Sequence, residues 1–325
     1  MKLLKLVPDS TNIRFQKYGV PFFIFSILMI VGSWAAVLTN GLNFGVDFIG
    51  GQEVRMTFEE RAQAPIPELR ELVGGLGYGE PVVQEFGKPN QVSIRVPLPE
   101  GAEETPGAAT EIGNRVIASV NKNFPDARTD GNDTVSGKVA GEFRNQAIFA
   151  LLAAMAAVSI YIWVRFEWQF GVGAMFALFH DVSLTMGLFA ITQMEFSLQI
   201  VAAILAIIGY SLNDTIVIYD RIRENLKKYR KMPMIELLDL SVNETLARTV
   251  MTSLTLLVAL VPLLIFGPAS LFGMVAAITF GLFVGTYSSV YMAGPLLIWM
   301  GVTSNSFVQQ ETAADRQEKL ARGEG

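Results

Sequence analysis

The sequence predicts a polytopic α-helical membrane protein: six transmembrane helices, with a small α+β domain inserted between helices 1 and 2. Three observations predict it. Of 325 residues, 51% are hydrophobic and only 17% are charged, where soluble domains carry about 25% charge, and the mean hydropathy is +0.40. Six stretches reach the roughly 20 mostly apolar residues that a helix needs to cross a bilayer core. Between the first two of them the apolar pattern changes to a mixture of period 2 and period 3.6, the mark of a packed α+β unit.

The six stretches are residues 20–38, 147–164, 170–192, 196–219, 249–266 and 271–299. The first follows basic residues and ends near Ala35 and Ala36, as a signal peptide would. Its apolar run exceeds the usual 7–15 residues of such a segment, so it reads as an uncleaved helix. Orientation follows Lys and Arg placement. Lys2, Lys5, Arg14 and Lys17 precede the first helix, and Arg165 lies in the turn between helices 2 and 3. Arg221, Arg223, Lys227, Lys228, Arg230 and Lys231 separate helices 4 and 5. The turns at 193–195 and 267–270 carry no Lys or Arg. The expected organisation is a cytoplasmic N-terminus (1–19), helix 1 (20–38), an extracytoplasmic domain (39–142), helices 2–6 (143–300) and a polar cytoplasmic tail (301–325). The basic loop at 221–231 reads as a topology determinant that meets anionic lipid.

Within the insert the pattern predicts strands at 53–58, 81–86, 91–97 and 127–135 and helices at 65–76 and 108–123. That order, βαββαβ, is the split-βαβ or ferredoxin-like pattern. Residues 87–90 would turn the central hairpin. From Asn40 to Glu142 there are 16 Asp and Glu against 9 Lys and Arg. Long domains translocate largely regardless of charge, so this acidity does not oppose the topology.

Composition excludes several chemistries. There is no cysteine, hence no disulfide, thiolate metal site or thiol nucleophile, and His180 is the single histidine. No nucleotide-binding, zinc-protease or serine-hydrolase motif occurs. Gly74, Gly75, Gly77 and Gly79 follow a helix and lack a Lys–Ser/Thr pair, so they cap and turn the chain. The chain therefore reads as a non-enzyme without metal or cofactor. Work would come from an ion gradient, which at about 100 mV supplies about 2.3 kcal/mol per charge.

Polar residues inside the apolar stretches are the candidate site. An Asp near a helix centre costs roughly 2.5–3.5 kcal/mol to insert. Asp214 stands among Ser211, Asn213 and Thr215. Ala202, Ala206, Tyr210 and Asp214 recur every four residues, a small-residue ridge that suits close helix packing. Asp214 either sits near the interface or points into the bundle, where it could exchange a proton. Arg248, followed by Thr252 and Thr255 on one stripe of helix 5, is its candidate cation or else a simple topology anchor. His180 and Asp181, with Thr185 one turn on, form a second relay element or a static hydrogen-bonded pair. Gly281 and Gly285 make a GxxxG that Ser289 extends, and Pro262 permits a kink in helix 5.

These residues then become recognisable. GVDFIGG (Gly45–Gly51), RFEW (Arg165–Trp168), His180–Asp181, GYSLNDT with DRIREN (Gly209–Asn225) and RTVMTS (Arg248–Ser253) stand in the order of the SecD/SecF family. The sequence resembles that family over essentially its whole length. The single six-helix half, the absence of the larger SecD outer domain and the Asn213–Asp214 pair are similar to its SecF branch. Tyr219 departs where Phe is common, and Asn243–Glu244 where Gln-Thr patterns are frequent.

The resemblance implies half of an RND-like bundle in the bacterial inner membrane. SecD would be its partner, with the SecYEG translocon, YajC and unfolded preproteins as further contacts. The proton-motive force would drive late, periplasmic-side steps of export. Asp214 and Arg248 would pass protons, with Asn213, His180 and Asp181 beside them. Gly45, Asp47, Gly50 and Gly51 would hinge the periplasmic domain, although Asp47 equally suits capping of backbone amides. One other reading stays open, a scaffold that holds SecD without conducting; an exporter of a small hydrophobic molecule fits less well, because the insert is small for such a porter domain and the motif block fits SecF better.

Overall fold

The computed structural model describes residue 8, residues 11–98 and residues 108–303, so the tail expected at 301–325 lies almost wholly outside the described residues. A short 3-10 turn, Phe15–Tyr18, leads into α1 (Gly19–Asn40), and the four-residue α2 (Val46–Ile49) follows. The inserted domain consists of β1 (Gly51–Phe58), α3 (Ile66–Gly74), β2 (Val82–Phe86), β3 (Lys88–Val96), α4 (Ala108–Asn123) and β4 (Ala127–Val135). Its sheet has the order β2-β3-β1-β4, and every neighbouring pair is antiparallel. Each helix thus crosses over one strand before the chain re-enters the sheet.

The alternation of β1 decides which face is which. Val54, Met56 and Phe58 are fully buried against a core with Leu69 and Val116 from the two helices. Glu53, Arg55 and Thr57 point to the opposite face, as period 2 requires. Glu53 is nevertheless buried, because the helical bundle covers that polar face. The hairpin is tighter than residues 87–90 suggested: β3 begins at Lys88, which pairs with Phe86, and Gly87 alone forms the tip.

The bundle comprises α5 (Gly137–Arg165), α6 (Trp168–Thr192), α7 (Leu198–Lys228), α8 (Met234–Phe266), α9 (Ala269–Tyr291) and α10 (Ala293–Trp299). Among the described residues, six helical spans, α1 included, are long and apolar enough to cross a membrane. The sixth expected helix is two helices. Pro295 has no amide to donate to the carbonyl of Tyr291, so the ladder breaks between α9 and α10.

Three helices are longer than their apolar stretches. α7 runs 31 residues and α8 33, roughly 45–50 Å at 1.5 Å per residue, against about 30 Å of hydrocarbon. Their polar ends project together as a hairpin, held by Arg221 Nε to Glu244 at 2.7 Å and Asn225 Nδ2 to Ser241 Oγ at 3.0 Å. The N-terminal segment docks on the same end: the Gln16 amide donates to Asp239 at 2.8 Å and the Ile13 amide to Asn243 at 2.9 Å. α5 starts ten residues before its expected apolar run, directly after β4, with Ser136 as its N-cap.

Packing separates inner from outer helices. In the most apolar window of α6, 61% of residues are buried, and in that of α7 50%, whereas α5 has 11% and α8 6%. The outer helices show lipid-ready side chains such as Phe149, Trp163, Val258 and Phe266. The GxxxG of α9 is the close contact with α7. A Cβ on Gly281 would lie 2.4 Å from Ile207 Cγ1, and one on Gly285 3.0 Å from Ser211 Cβ.

Candidate functional site

Asp214 is 2% exposed and sits on the inner side of α7. Its Oδ2 is buried without a hydrogen-bond partner among the described residues. Arg248 on α8 and the Tyr210 hydroxyl one turn away are the groups that act on it electrostatically. Arg248 is exposed and forms no ion pair among the described residues. From Tyr210 a chain of hydroxyls crosses the bundle: Tyr210 to Ser253 on α8 at 2.6 Å, then Ser253 to Thr286 on α9 at 3.1 Å. Neither Ser253 nor Thr286 was singled out for this from sequence, since a hydroxyl in a helix carries no periodic signal. Thr252 and Thr255 bond back to carbonyls of their own helix.

The small-residue ridge is not packed within this chain. Ala202 and Ala206 are exposed on the bundle surface, Tyr210 is half-buried and only Asp214 is buried. Four residues on a 3.6-residue helix advance about 40° per step, so the row winds from the bare face into the interior. The row that packs on α9 is Ala203, Ile207 and Ser211. Asn213 is exposed next to Asp214.

His180 and Asp181 are both 0% exposed. His180 Nδ1 lies 2.9 Å from Asp181 Oδ1. Asp181 Oδ2 accepts from Ser288 Oγ of α9 at 3.0 Å and also from Ser211 Oγ of α7. Thr185 bonds the Asp181 backbone carbonyl at 2.8 Å. One carboxylate thus ties α6, α7 and α9 together, and Ser288, next to the Ser289 of the expected ridge, is the residue that reaches it. Only His180 Nε2 lacks a partner here among the described residues.

The GVDFIGG segment is a tight joint. Gly50 and Gly51 have φ of 72° and 132°, a region that side chains rarely adopt. Asp47 Oδ2 accepts the amide of Leu198 at 2.9 Å. Leu198 is the first residue of α7, whose own N-cap Ser197 makes no side-chain bond. Asp47 is therefore a cap, but for a distant helix: the one that carries Asp214. The Gly45 amide donates to Phe196 O at 3.0 Å, and the Phe196 amide to Asn43 O at 2.8 Å. From β3, buried Arg95 grips this joint through Asn43 Oδ1 at 2.6 Å and the Phe44 carbonyl. Asn43 in turn donates to Gln193 O at 2.8 Å. Neither Arg95 nor Asn43 stands out in the sequence, because the partners that matter here, each other and Gln193, lie 52 and 150 positions away.

Comparison with known proteins agrees with this arrangement. The family described as protein export membrane protein SecD/SecF, C-terminal, matches residues 115–303, and the SecD/SecF GG motif matches residues 35–60. The protein translocase subunit SecF of Rhodobacter capsulatus is 43% identical over 311 residues, 93% of each chain. That of Rickettsia akari is 39% identical, covering 90% of this chain and 94% of the relative. Among solved structures, SecDF of Thermus thermophilus, described as a translocon-associated membrane protein, superimposes with a TM-score of 0.80 at 31% identity over 90% of this chain. A SecDF structure in a super-membrane-facing form gives 0.66 at 28% identity over 97% of this chain. The chain spans about two fifths of the length of those solved SecDF chains, 39% and 40%. With the GG motif at the joint that caps α7 and relatives matched nearly end to end, the chain belongs to the SecF branch of the SecD/SecF protein-export family.

Proposed function

We propose that the chain works with SecD on the SecYEG translocon, with YajC as a companion, and uses the proton-motive force to promote late, periplasmic-side steps of preprotein export. The observation that carries this reading is Asp214: a carboxylate buried in a membrane helix, with one oxygen unpartnered and Arg248 nearby. In this reading both termini face the cytoplasm, since the N-terminal segment and the basic α7–α8 hairpin share one end. The inserted domain is then a ferredoxin-like periplasmic domain.

SecD would complete an RND-like bundle by covering what this chain leaves bare: Ala202, Ala206 and Asn213 on α7, and Arg248 on α8. Exposed Arg and Asn beside a buried carboxylate suit a protein partner better than lipid. Protonation of Asp214 would remove its charge, change its pairing with Arg248 or with a partner's carboxylate, and shift α7 against α8. Asp47 would carry that shift to the joint of the periplasmic domain.

The test is the SecD-partnered complex in proteoliposomes, with proton flux and late-stage export measured for Asp214→Asn. Loss of both is expected. Intact flux with weakened co-purification of SecD would assign the chain a scaffold role instead.

A further inference from the structure

The joint holds a second pair of carboxyls that none of the motifs includes. Glu53 projects from the polar face of β1, and Glu195 lies in the loop 193–197 between α6 and α7. The two side chains are within hydrogen-bonding reach of each other. Two carboxyls bond only when one is protonated. Glu53 is 1% exposed; it accepts from Ser93 Oγ at 2.6 Å and pairs with Arg55 at 2.7 Å. Glu195 presses on the GVDFIGG backbone so closely that a Cβ on Gly45 would lie 2.3 Å from its Oε1. Both line a cavity of about 530 Å³ between the sheet and the bundle.

The charged groups around the pair are Arg55, Asp133, Arg95, Asp47 and Glu85. Arg55 is shared between Glu53 and Asp133, at 2.7 and 2.9 Å. Arg95 faces Glu195 but is already bonded to Asn43 and Phe44. Asp47 is occupied by the Leu198 amide, and Glu85 lines the far wall of the cavity. Among the described residues Glu195 has no salt bridge of its own, although Arg55 and Arg95 each keep a buried Nε without a hydrogen-bond partner.

We propose that Glu53 and Glu195 form a proton-dependent latch between the inserted domain and the bundle: one shared proton bonds β1 to the α6–α7 loop, and its loss sets two carboxylates against each other and weakens the docking. The titration agrees with the geometry. Burial, then the negative charge of Glu53, pushes Glu195 up to about 7 from 4.5. Glu53 goes the other way: burial opposes its ionisation, but the bonds from Arg55 and Ser93 outweigh it and hold it below the ordinary value. The proton therefore resides on Glu195.

For an acid raised in the docked state, docking is strongest at low pH. It weakens tenfold per pH unit between 4.5 and about 7 and is constant above that. The full loss is roughly two orders of magnitude in the docking equilibrium. This latch is independent of whether Asp214 conducts.

The absence of native cysteine makes the test direct. Spin labels on Asn123→Cys in the domain and Phe266→Cys at the bundle end, both exposed positions, report their separation in the full chain in nanodiscs. The separation should lengthen or broaden as pH rises from below 4.5 to above about 7. Glu195→Gln stays neutral and can still donate to Glu53, so it should hold the short distance at every pH; Glu53→Gln removes the opposing charge but not the burial, so it should shrink the response without abolishing it. An unchanged distance across the range in the parent chain overturns the latch. So does a pH response that survives in Glu195→Gln.

Discussion

Asp181 and Asp214 are two carboxylates in one helical bundle, with 0% and 2% exposure, and burial does not tell them apart. Partners do. Asp181 has a histidine on one oxygen and two serine hydroxyls on the other. Asp214 keeps an oxygen without any partner among the described residues. The difference comes from how closely the helices approach. Gly285 brings α9 onto Ser211, which puts Ser211 and Ser288 around Asp181. Asp214 faces α8, a helix with only 6% of its apolar window buried. An acid in a membrane becomes a helix tie when small residues bring donors to it, and keeps an unpartnered oxygen when they do not.

Four substitutions test that contrast, taken in order of expected effect on stability. Asp181→Ala leaves His180, Ser211 and Ser288 without their acceptor and should cost about 3–5 kcal/mol, read by thermal unfolding in detergent. A cost near zero would place Asp181 in the same class as Asp214. Gly285→Val drives a side chain into Ser211 and should cost about 1–3 kcal/mol, with loss of the Asp181 hydrogen bonds visible by infrared spectroscopy of the carboxylate. Asp47→Ala removes the cap of α7 and should cost about 1 kcal/mol. Hydrogen exchange should quicken in the first turn of α7 only; faster exchange around Asp181 would mean that the two regions are not separate. Asp214→Asn should change stability by less than about 1 kcal/mol while removing proton-linked export. A large destabilisation there would show that Asp214 holds helices together as Asp181 does.

Much of this architecture was legible in the sequence because it rests on local pattern. The six apolar stretches and the βαββαβ order each follow from a period that neighbouring residues establish. Gly281 and Gly285 announced a close contact because glycine at i and i+4 has few other uses in a membrane helix. Helix ends were less legible. The polar halves of α7 and α8, such as Arg221–Lys228 and Met234–Arg248, are amphipathic helix rather than loop, and a hydropathy window ends where apolarity ends.

The site was legible by residue type and illegible by pairing. Asp47 was an evident acid in a glycine-rich motif, but its partner, Leu198, lies 151 positions on. Ala202 and Ala206 had a clear spacing, but they face away from this chain's other helices, since spacing does not say which neighbour a row will face. Glu195 gave no signal at all: a single acid in a short turn is unremarkable until Gly45 and Glu53 close on it.

The two connections that carry the inserted domain are unlike. The incoming one bends through Gly50 and Gly51, both at positive φ, whereas the outgoing one passes from β4 to α5 with Ser136 alone between them. The sheet therefore runs almost directly into α5, while its other connection turns through two glycines. Its continuation is the 29-residue α5, roughly 44 Å long. At its far end Arg165 holds Asp220 on α7 at 3.1 Å, while Asp47 holds the first turn of the same helix. The inserted domain is therefore tied to the Asp214 helix at two places, its first turn and its polar half.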